Sequence, residues 1–181
     1  MPLYVTREQY FTAATEILSA EGFRRLNMTA LHRRLGVSSG SFYNYFRNWP
    51  DFVRKYLEQW TAHTDQIAER ASAELDPLDR LRLLRRLTRT VAHDAEVAIR
   101  TWGAMEPMVA EAQREVDRKR LALIRIAVAE ASGGRDDADR MAELALSMIV
   151  GWQQLRQPFD AERMDWMLSR FIEMVNGAHA G

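Results

Sequence analysis

The chain has no cysteine among its 181 residues. That excludes disulfides, thiolate metal centres and cysteine nucleophiles, and it fits a reducing compartment such as the cytoplasm. No run of about 18 apolar residues occurs, so no segment is expected to span a membrane. The amino terminus lacks the basic-then-apolar pattern of a secretion signal. Period-two alternation never persists and β-branched residues do not cluster, so strand signals are nearly absent. Glycine-rich phosphate loops and nucleophile elbows are missing too. The four histidines, at positions 32, 63, 93 and 179, are scattered. His93 and Glu96 share a helical face but lack a third ligand, so neither a metal nor a cofactor is expected. Acidic residues stand in solvated runs such as Arg135-Asp136-Asp137, not paired on an apolar background. An enzyme is therefore not the expected class.

Net charge is also absent, because 25 Lys or Arg balance 25 Asp or Glu. The balance is uneven along the chain. Residues 1 to 56 carry eight basic and four acidic side chains, and the remainder carries 17 and 21. A basic amino-terminal segment on an acidic remainder suits a DNA-reading head on a body with another task.

What is present is helical spacing almost everywhere. Hydrophobic residues make up 47% of the chain, enough for a packed core. The pattern predicts an all-α fold of about nine helices. Thr6 caps the first, with Gln9 as its capping-box partner, and Gly22 ends it. A long fourth helix starts at Pro50, with Asn48 or Trp49 just outside. Asp76-Pro77 opens the fifth and Asp94 caps a short sixth. Pro107 opens a long seventh, Asp136 or Asp137 caps the eighth, and Asp160 caps the ninth.

Between the first and fourth helices lies the most informative stretch, TALHRRLGVSSGSFYNYF, from Thr29 to Phe46. A short helix from about Met28 to Leu35, capped by Asn27 or Thr29, is broken by Gly36. Ser38 or Ser39 then caps a second short helix reaching about Phe46. Two short helices joined by a glycine turn form a helix-turn-helix. Phe42 and Phe46, four apart, are assigned to the core. Ser39, Ser41, Tyr43, Asn44 and Tyr45 remain as exposed candidates for the major groove. Asn44 carries the amide that pairs with adenine. Thr29 sits where backbone N–H groups and the helix dipole favour a phosphate. Arg33, Arg34 and Arg47 add charge contacts that affect salt dependence more than sequence preference. No Arg or Lys lies between Ser38 and Phe46, so bidentate guanine readout from this helix is not expected.

This stretch resembles the DNA-binding domain of the TetR family of bacterial transcriptional regulators. The resemblance rests on Ala13-Ala14, Gly22-Phe23, Met28-Thr29, Leu31, Leu35-Gly36-Val37-Ser38 and Gly40-Ser41-Phe42-Tyr43, followed by Tyr45-Phe46. It covers about the first 55 residues. It implies that Tyr43 bonds a phosphate, that the protein is a dimer, and that residues 1–48 form a DNA-binding domain and residues 49–181 a helical regulatory and dimerisation domain. The chain departs from the family at Asn48-Trp49-Pro50-Asp51, where Ser-Lys-Glu is common and its Lys touches a phosphate. Trp49 is expected to anchor the next helix by packing instead.

Two further surfaces are predicted in the body. Met141 and Leu144 on the eighth helix, with Met164, Met167, Phe171 and Met174 on the ninth, form soft apolar faces that are either core or a four-helix dimer interface. A two-fold dimer would set two recognition helices about one DNA turn apart, matching a palindromic operator. Trp60, His63, Ile67, Trp102, Met105, Met148 and Trp152 are expected to point inward, either as plain core or as the wall of a small-molecule pocket. Arg100 either pairs with Glu96 or receives an anionic ligand. A ligand bound there would shift the heads through the fourth helix. The expected function is a DNA-binding repressor released by a small molecule, and the alternative is a helical interaction or ligand-binding protein without specific DNA binding.

Overall fold

The computed structural model describes residues 5–134, 136–155 and 158–177. Among the described residues the regular structure is helical, comprising α1 (Arg7–Glu21), a single 3-10 turn (Phe23–Arg25), α2 (Met28–Leu35), α3 (Ser39–Tyr43), α4 (Trp49–Ser72), α5 (Pro77–Thr88), α6 (His93–Gly103), α7 (Pro107–Ala131), α8 (Ala138–Leu155) and α9 (Ala161–Gly177). No helix among them is long and apolar enough to cross a membrane.

Local chemistry sets most helix starts. The Thr6 hydroxyl accepts from the Gln9 N–H at 3.3 Å, and the Gln9 side chain accepts from the Thr6 N–H at 2.8 Å, which completes the capping box. Asn27 Oδ1 accepts from Ala30 N–H at 3.0 Å and settles the α2 cap in favour of Asn27. Asp76 and Asp160 cap α5 and α9 in the same way, through Asp79 and Arg163 N–H. α6 differs from expectation. It begins at His93 behind Ala92, with no side-chain cap, and Asp94 lies inside the first turn.

At the start of α4, Asn48 Oδ1 accepts from Asp51 N–H at 2.9 Å. Asp51 Oδ2 reaches back to the Arg47 N–H at 3.0 Å. That backbone bond, with Lys55 and Arg54 beside it, lowers the Asp51 carboxyl from 3.8 to about 2. A depressed carboxyl stabilises the fold above its unfolded value and loses that contribution as pH falls through its folded value. The acid loss of melting temperature between pH 4 and 2 should therefore be shallower in Asp51→Asn than in the parent, when both are followed by circular dichroism. Parallel acid limbs would remove Asp51 as the titrating tie.

The chain divides into two compact units. The first holds the chain up to Trp60 together with Ala92–Gln113, and the second holds Thr61–Val91 together with the chain from Arg114 on. This division differs from the one the sequence suggests at residue 48. Helix α6 packs along α1, with Ala95, Ala98 and Ile99 in the same core as Tyr10, Phe11, Ala14 and Ile17. Val109 at the start of α7 joins that core. Gly103 permits the tight α6–α7 turn, because a Cβ there would stand 3.3 Å from the Ala110 Cα. In the second unit, Leu81, Ala127, Val128, Ala145, Phe171, Ile172 and Val175 form a separate core.

Candidate nucleic-acid interface

Gly36 closes α2 in the left-handed region at φ 66°, a conformation that costs glycine little. Ser38 starts α3 in extended conformation without a side-chain cap. The helix then runs only from Ser39 to Tyr43, shorter than the expected reach to Phe46. Its end is set by packing. The Tyr45 and Phe46 N–H groups both bond to the Phe42 carbonyl at 3.1 Å, and that tightening turns Phe46 into the core.

Phe42 is the anchor. It is fully buried, with ring centroids 5.8 Å from Tyr10, 4.9 Å from Phe46 and 5.7 Å from Phe52. Burying Phe42 leaves its neighbours outside. Tyr43 is 58% exposed, and Ser39, Gly40 and Asn44 are exposed beside it. Thr29 and Arg33, one turn apart on α2, are exposed as well. A Cβ at Gly40 would meet only the Ser38 hydroxyl, at 3.8 Å, so a second molecule's backbone has room to approach.

The other two candidates on this helix are placed differently. Tyr45 is half-buried, its ring 6.2 Å from both Tyr10 and Phe46, and packs on the head core. Ser41 is half-buried. Of the residues that the sequence nominates for DNA contact, Thr29, Arg33, Ser39, Tyr43 and Asn44 are thus exposed.

Charge around this surface is selective. Arg34 is held by Glu16 and Glu21, each at 3.2 Å. Arg54 and Lys55 pair with Asp51, and Lys55 also donates to the Tyr45 carbonyl at 3.1 Å. Among the described residues, Arg24, Arg25, Arg33 and Arg47 are exposed and carry no ion pair. Arg24 and Arg25 were not singled out by the sequence pattern, since nothing in it separates paired from unpaired arginines. Trp49, the first residue of α4, is half-buried against the amino-terminal core, its ring 5.1 Å from that of Phe52 on the same helix.

The predicted pocket residues fall in both compact units. Trp60, Arg100, Trp102 and Met105 belong to the first, and His63, Ile67, Met148 and Trp152 to the second. Trp60 Nε1 donates to the buried Glu96 carboxylate at 3.3 Å. Trp102 stacks on Phe23 at 6.3 Å and 12° and so packs on the 3-10 turn of the head. Met105, expected inward, is 66% exposed, because α6 ends just before it. Arg100, His63 and Ile67 are half-buried. Met148 packs on the second core, and Trp152 Nε1 donates to the Asp160 carbonyl at 3.0 Å.

The predicted interface residues also divide. Met164 and Phe171 are buried within their own chain, where Leu168, Ile172 and Val175 complete the inward stripe of α9. Met141 is half-buried on that core, and Met167 is half-buried. Leu144 and Met174 are exposed. The outward apolar residues that the sequence reading missed are Trp166 and Leu155, 62% and 78% exposed. Trp166 stands out of phase with the inward stripe of α9, and that phase was the available signal.

Comparison with known proteins agrees with this geometry. Residues 11–51 match the family model for bacterial regulatory proteins of the tetR family. Over 85 residues the chain is 29% identical to the transcriptional regulator AcuR of Cereibacter sphaeroides, a match covering 46% of this chain and 39% of that relative's length. The fold is shared with a TetR-family transcriptional regulator from Streptomyces coelicolor, at TM-score 0.77 and 17% identity over 97% of this chain and 96% of that one. It is also shared with a protein from Saccharomonospora viridis in complex with choline, at TM-score 0.73 and 19% identity over 92% and 95% of the two chains. The glycine turn and the Phe42-anchored helix thus lie inside the segment that matches the model for bacterial regulatory proteins of the tetR family, on a chain that shares its fold with a TetR-family transcriptional regulator.

Proposed function

We propose that the protein is a homodimeric repressor that reads a palindromic DNA operator through α3 and is released by a small molecule bound in its carboxy-terminal part. The observation that carries the reading is the pairing of a fully buried Phe42 with an exposed Tyr43 and Asn44 on the helix after the Gly36 turn. The Tyr43 hydroxyl bonds a backbone phosphate, and Asn44 pairs with an adenine edge. Arg33 and Arg47 add phosphate contacts that weaken with salt. Thr29, in the first turn of α2, offers a further phosphate site.

Dimerisation uses the outward faces of α8 and α9, where Leu144, Leu155, Trp166 and Met174 stand exposed. Two heads on one two-fold axis call for two half-sites. The choline complex of a protein sharing this fold supports a small organic effector.

Selection from random duplex DNA at two salt concentrations tests the reading. An enriched palindrome whose affinity falls as salt rises supports it, and a folded protein that enriches nothing sinks it. Tyr43→Phe removes one hydroxyl from an exposed side chain. It should weaken binding to the selected operator about tenfold to a hundredfold, the weight of one hydrogen bond to a charged group, with the melting temperature retained. Unchanged affinity in fluorescence anisotropy would remove Tyr43 as a phosphate contact.

A further inference from the structure

From Gly22 to Pro50 the chain carries five arginines and no acidic residue. Arg34 is neutralised from α1, by Glu16 and Glu21 at 3.2 Å each. Arg33 and Arg47 belong to the surface assigned to DNA above. That leaves Arg24 and Arg25, on the 3-10 turn between α1 and α2. Both are exposed, and neither has an ion pair among the described residues.

A surface arginine usually contributes little, because ordering its long side chain offsets the contact it makes. Here the backbone that carries the pair is already fixed. The Arg25 N–H donates to the Gly22 carbonyl at 3.2 Å, and the Leu26 N–H to the Phe23 carbonyl at 3.1 Å. Phe23 stacks on Trp102 of α6 at 6.3 Å and 12°, and Leu26 is buried in the head core. With Phe23 and Leu26 held inward, Arg24 and Arg25 between them stand outside. The Arg24 guanidinium lies over the Phe23 ring at 6.0 Å. A guanidinium that lays its face on a ring keeps its N–H groups in the plane, available to an oxyanion.

Asn27 ties this turn to α2. Its Oδ1 caps the helix through the Ala30 N–H at 3.0 Å, and its Nδ2 donates to the Arg25 carbonyl at 3.2 Å. Arg25 is thus anchored at the end of α2 where Thr29 is exposed. In a helix-turn-helix the first of the two helices crosses the DNA backbone while the second enters the groove. A turn at the leading end of α2 therefore meets phosphates and not base edges. A phosphate at Thr29 has neighbours along its strand, one for about every 3.4 Å of duplex axis.

We propose that Arg24 and Arg25 clamp backbone phosphates beside the one at Thr29, so that the head grips DNA through the α1–α2 turn as well as through α3. The inference rests on the DNA-reading function proposed above and adds two contacts that carry affinity but no sequence information.

Arg24→Gln with Arg25→Gln keeps two polar side chains and removes both charges. Affinity for the operator selected from random duplex should fall at least about tenfold at low salt. The slope of log affinity against log salt should become shallower by about 0.9 for each phosphate released, hence about 1.8 per head. Discrimination between that operator and a scrambled duplex should stay as it was, and so should the melting temperature. Arg24→Lys with Arg25→Lys keeps the charge and should restore most of the slope. A methylphosphonate scan of the operator neutralises its phosphates one at a time. It should find phosphates whose neutralisation weakens binding by the parent and no longer matters to the glutamine variant. An unchanged salt slope, or a scan in which every sensitive phosphate stays sensitive, overturns the clamp. A parent that binds duplex without selecting a sequence refutes operator reading alone, and the salt slope on that duplex still decides the clamp. A parent that binds no duplex overturns both.

Discussion

Phe42→Ala is expected to destabilise the amino-terminal unit by about 3–5 kcal/mol and to abolish DNA binding with it. The side chain is fully buried and meets Tyr10, His32, Phe46 and Phe52 within 6.1 Å, ring centre to ring centre. Its removal opens a cavity that joins α1, α2 and α4 beneath α3. Surrounding aromatic rings are stiff and fill such a hole poorly, so the cost belongs at the upper end of core truncations. A domain with a total stability of about 5–15 kcal/mol does not keep its weakest helix after such a loss. Tyr43→Ala, one residue along, removes a comparable ring from an exposed position. It should leave the melting temperature within about 2 °C, since exposed substitutions stay near ±0.5 kcal/mol. The pair of variants separates support from contact. Thermal unfolding and operator binding should fail together for Phe42→Ala, and binding alone should weaken for Tyr43→Ala. A Phe42→Ala protein that melts like the parent would mean that the aromatic cluster does not hold α3.

That adjacent pair also marks where the sequence is readable. Helix starts were legible because capping is a local exchange of one side chain for one backbone N–H, as at Thr6, Asn27, Asp76 and Asp160. The helix-turn-helix was legible from Gly36 and the Phe42–Phe46 spacing. The end of α3 was not, because it depends on Phe46 entering a core built from α1 and α4. The same contact decides the fates of Tyr43 and Tyr45. Five helical residues carry too little periodicity to say which tyrosine faces out. The apolar stripe of α6 leaves Trp102 as either core or pocket wall, and its stacking partner Phe23 is distant in sequence, so no local pattern names it. Of the eight basic side chains in the first 56 residues, the ones already neutralised became visible only with the acids beside them, as for Arg34 between Glu16 and Glu21.

Trp166→Arg is expected to raise the dimer dissociation constant about thirtyfold or more, the effect of losing a hot-spot side chain of at least about 2 kcal/mol. Helix α9 is apolar on two sides. Its inward stripe of Met164, Leu168, Phe171, Ile172 and Val175 is consumed by the second unit's own core. Its outward side keeps Trp166 and Met174 exposed, with Leu144 and Leu155 exposed on α8. Arg170 lies 5.9 Å over the Trp166 ring while pairing with Glu173, which leaves most of the indole uncovered. An exposed indole of about 150–250 Å² has a large stake in being covered by a second chain. Arginine at this position places a charge beside Arg170 and, across a two-fold axis, near its own copy, so both the lost burial and the repulsion oppose pairing. Helical content should not change, because Trp166 contributes nothing to the inward stripe. Met164→Ala should do the reverse, lowering the melting temperature through a core cavity while leaving assembly to the outward face. Sedimentation velocity at low micromolar concentration reads the first effect, and circular dichroism separates the two. Losing the dimer also removes the gain from joining two half-site contacts, so operator affinity should fall about 100-fold, while affinity for non-specific DNA changes little. A Trp166→Arg protein that sediments as an intact dimer would move the interface off the outward face of α9. The half-buried Met167 would then be the next position to charge.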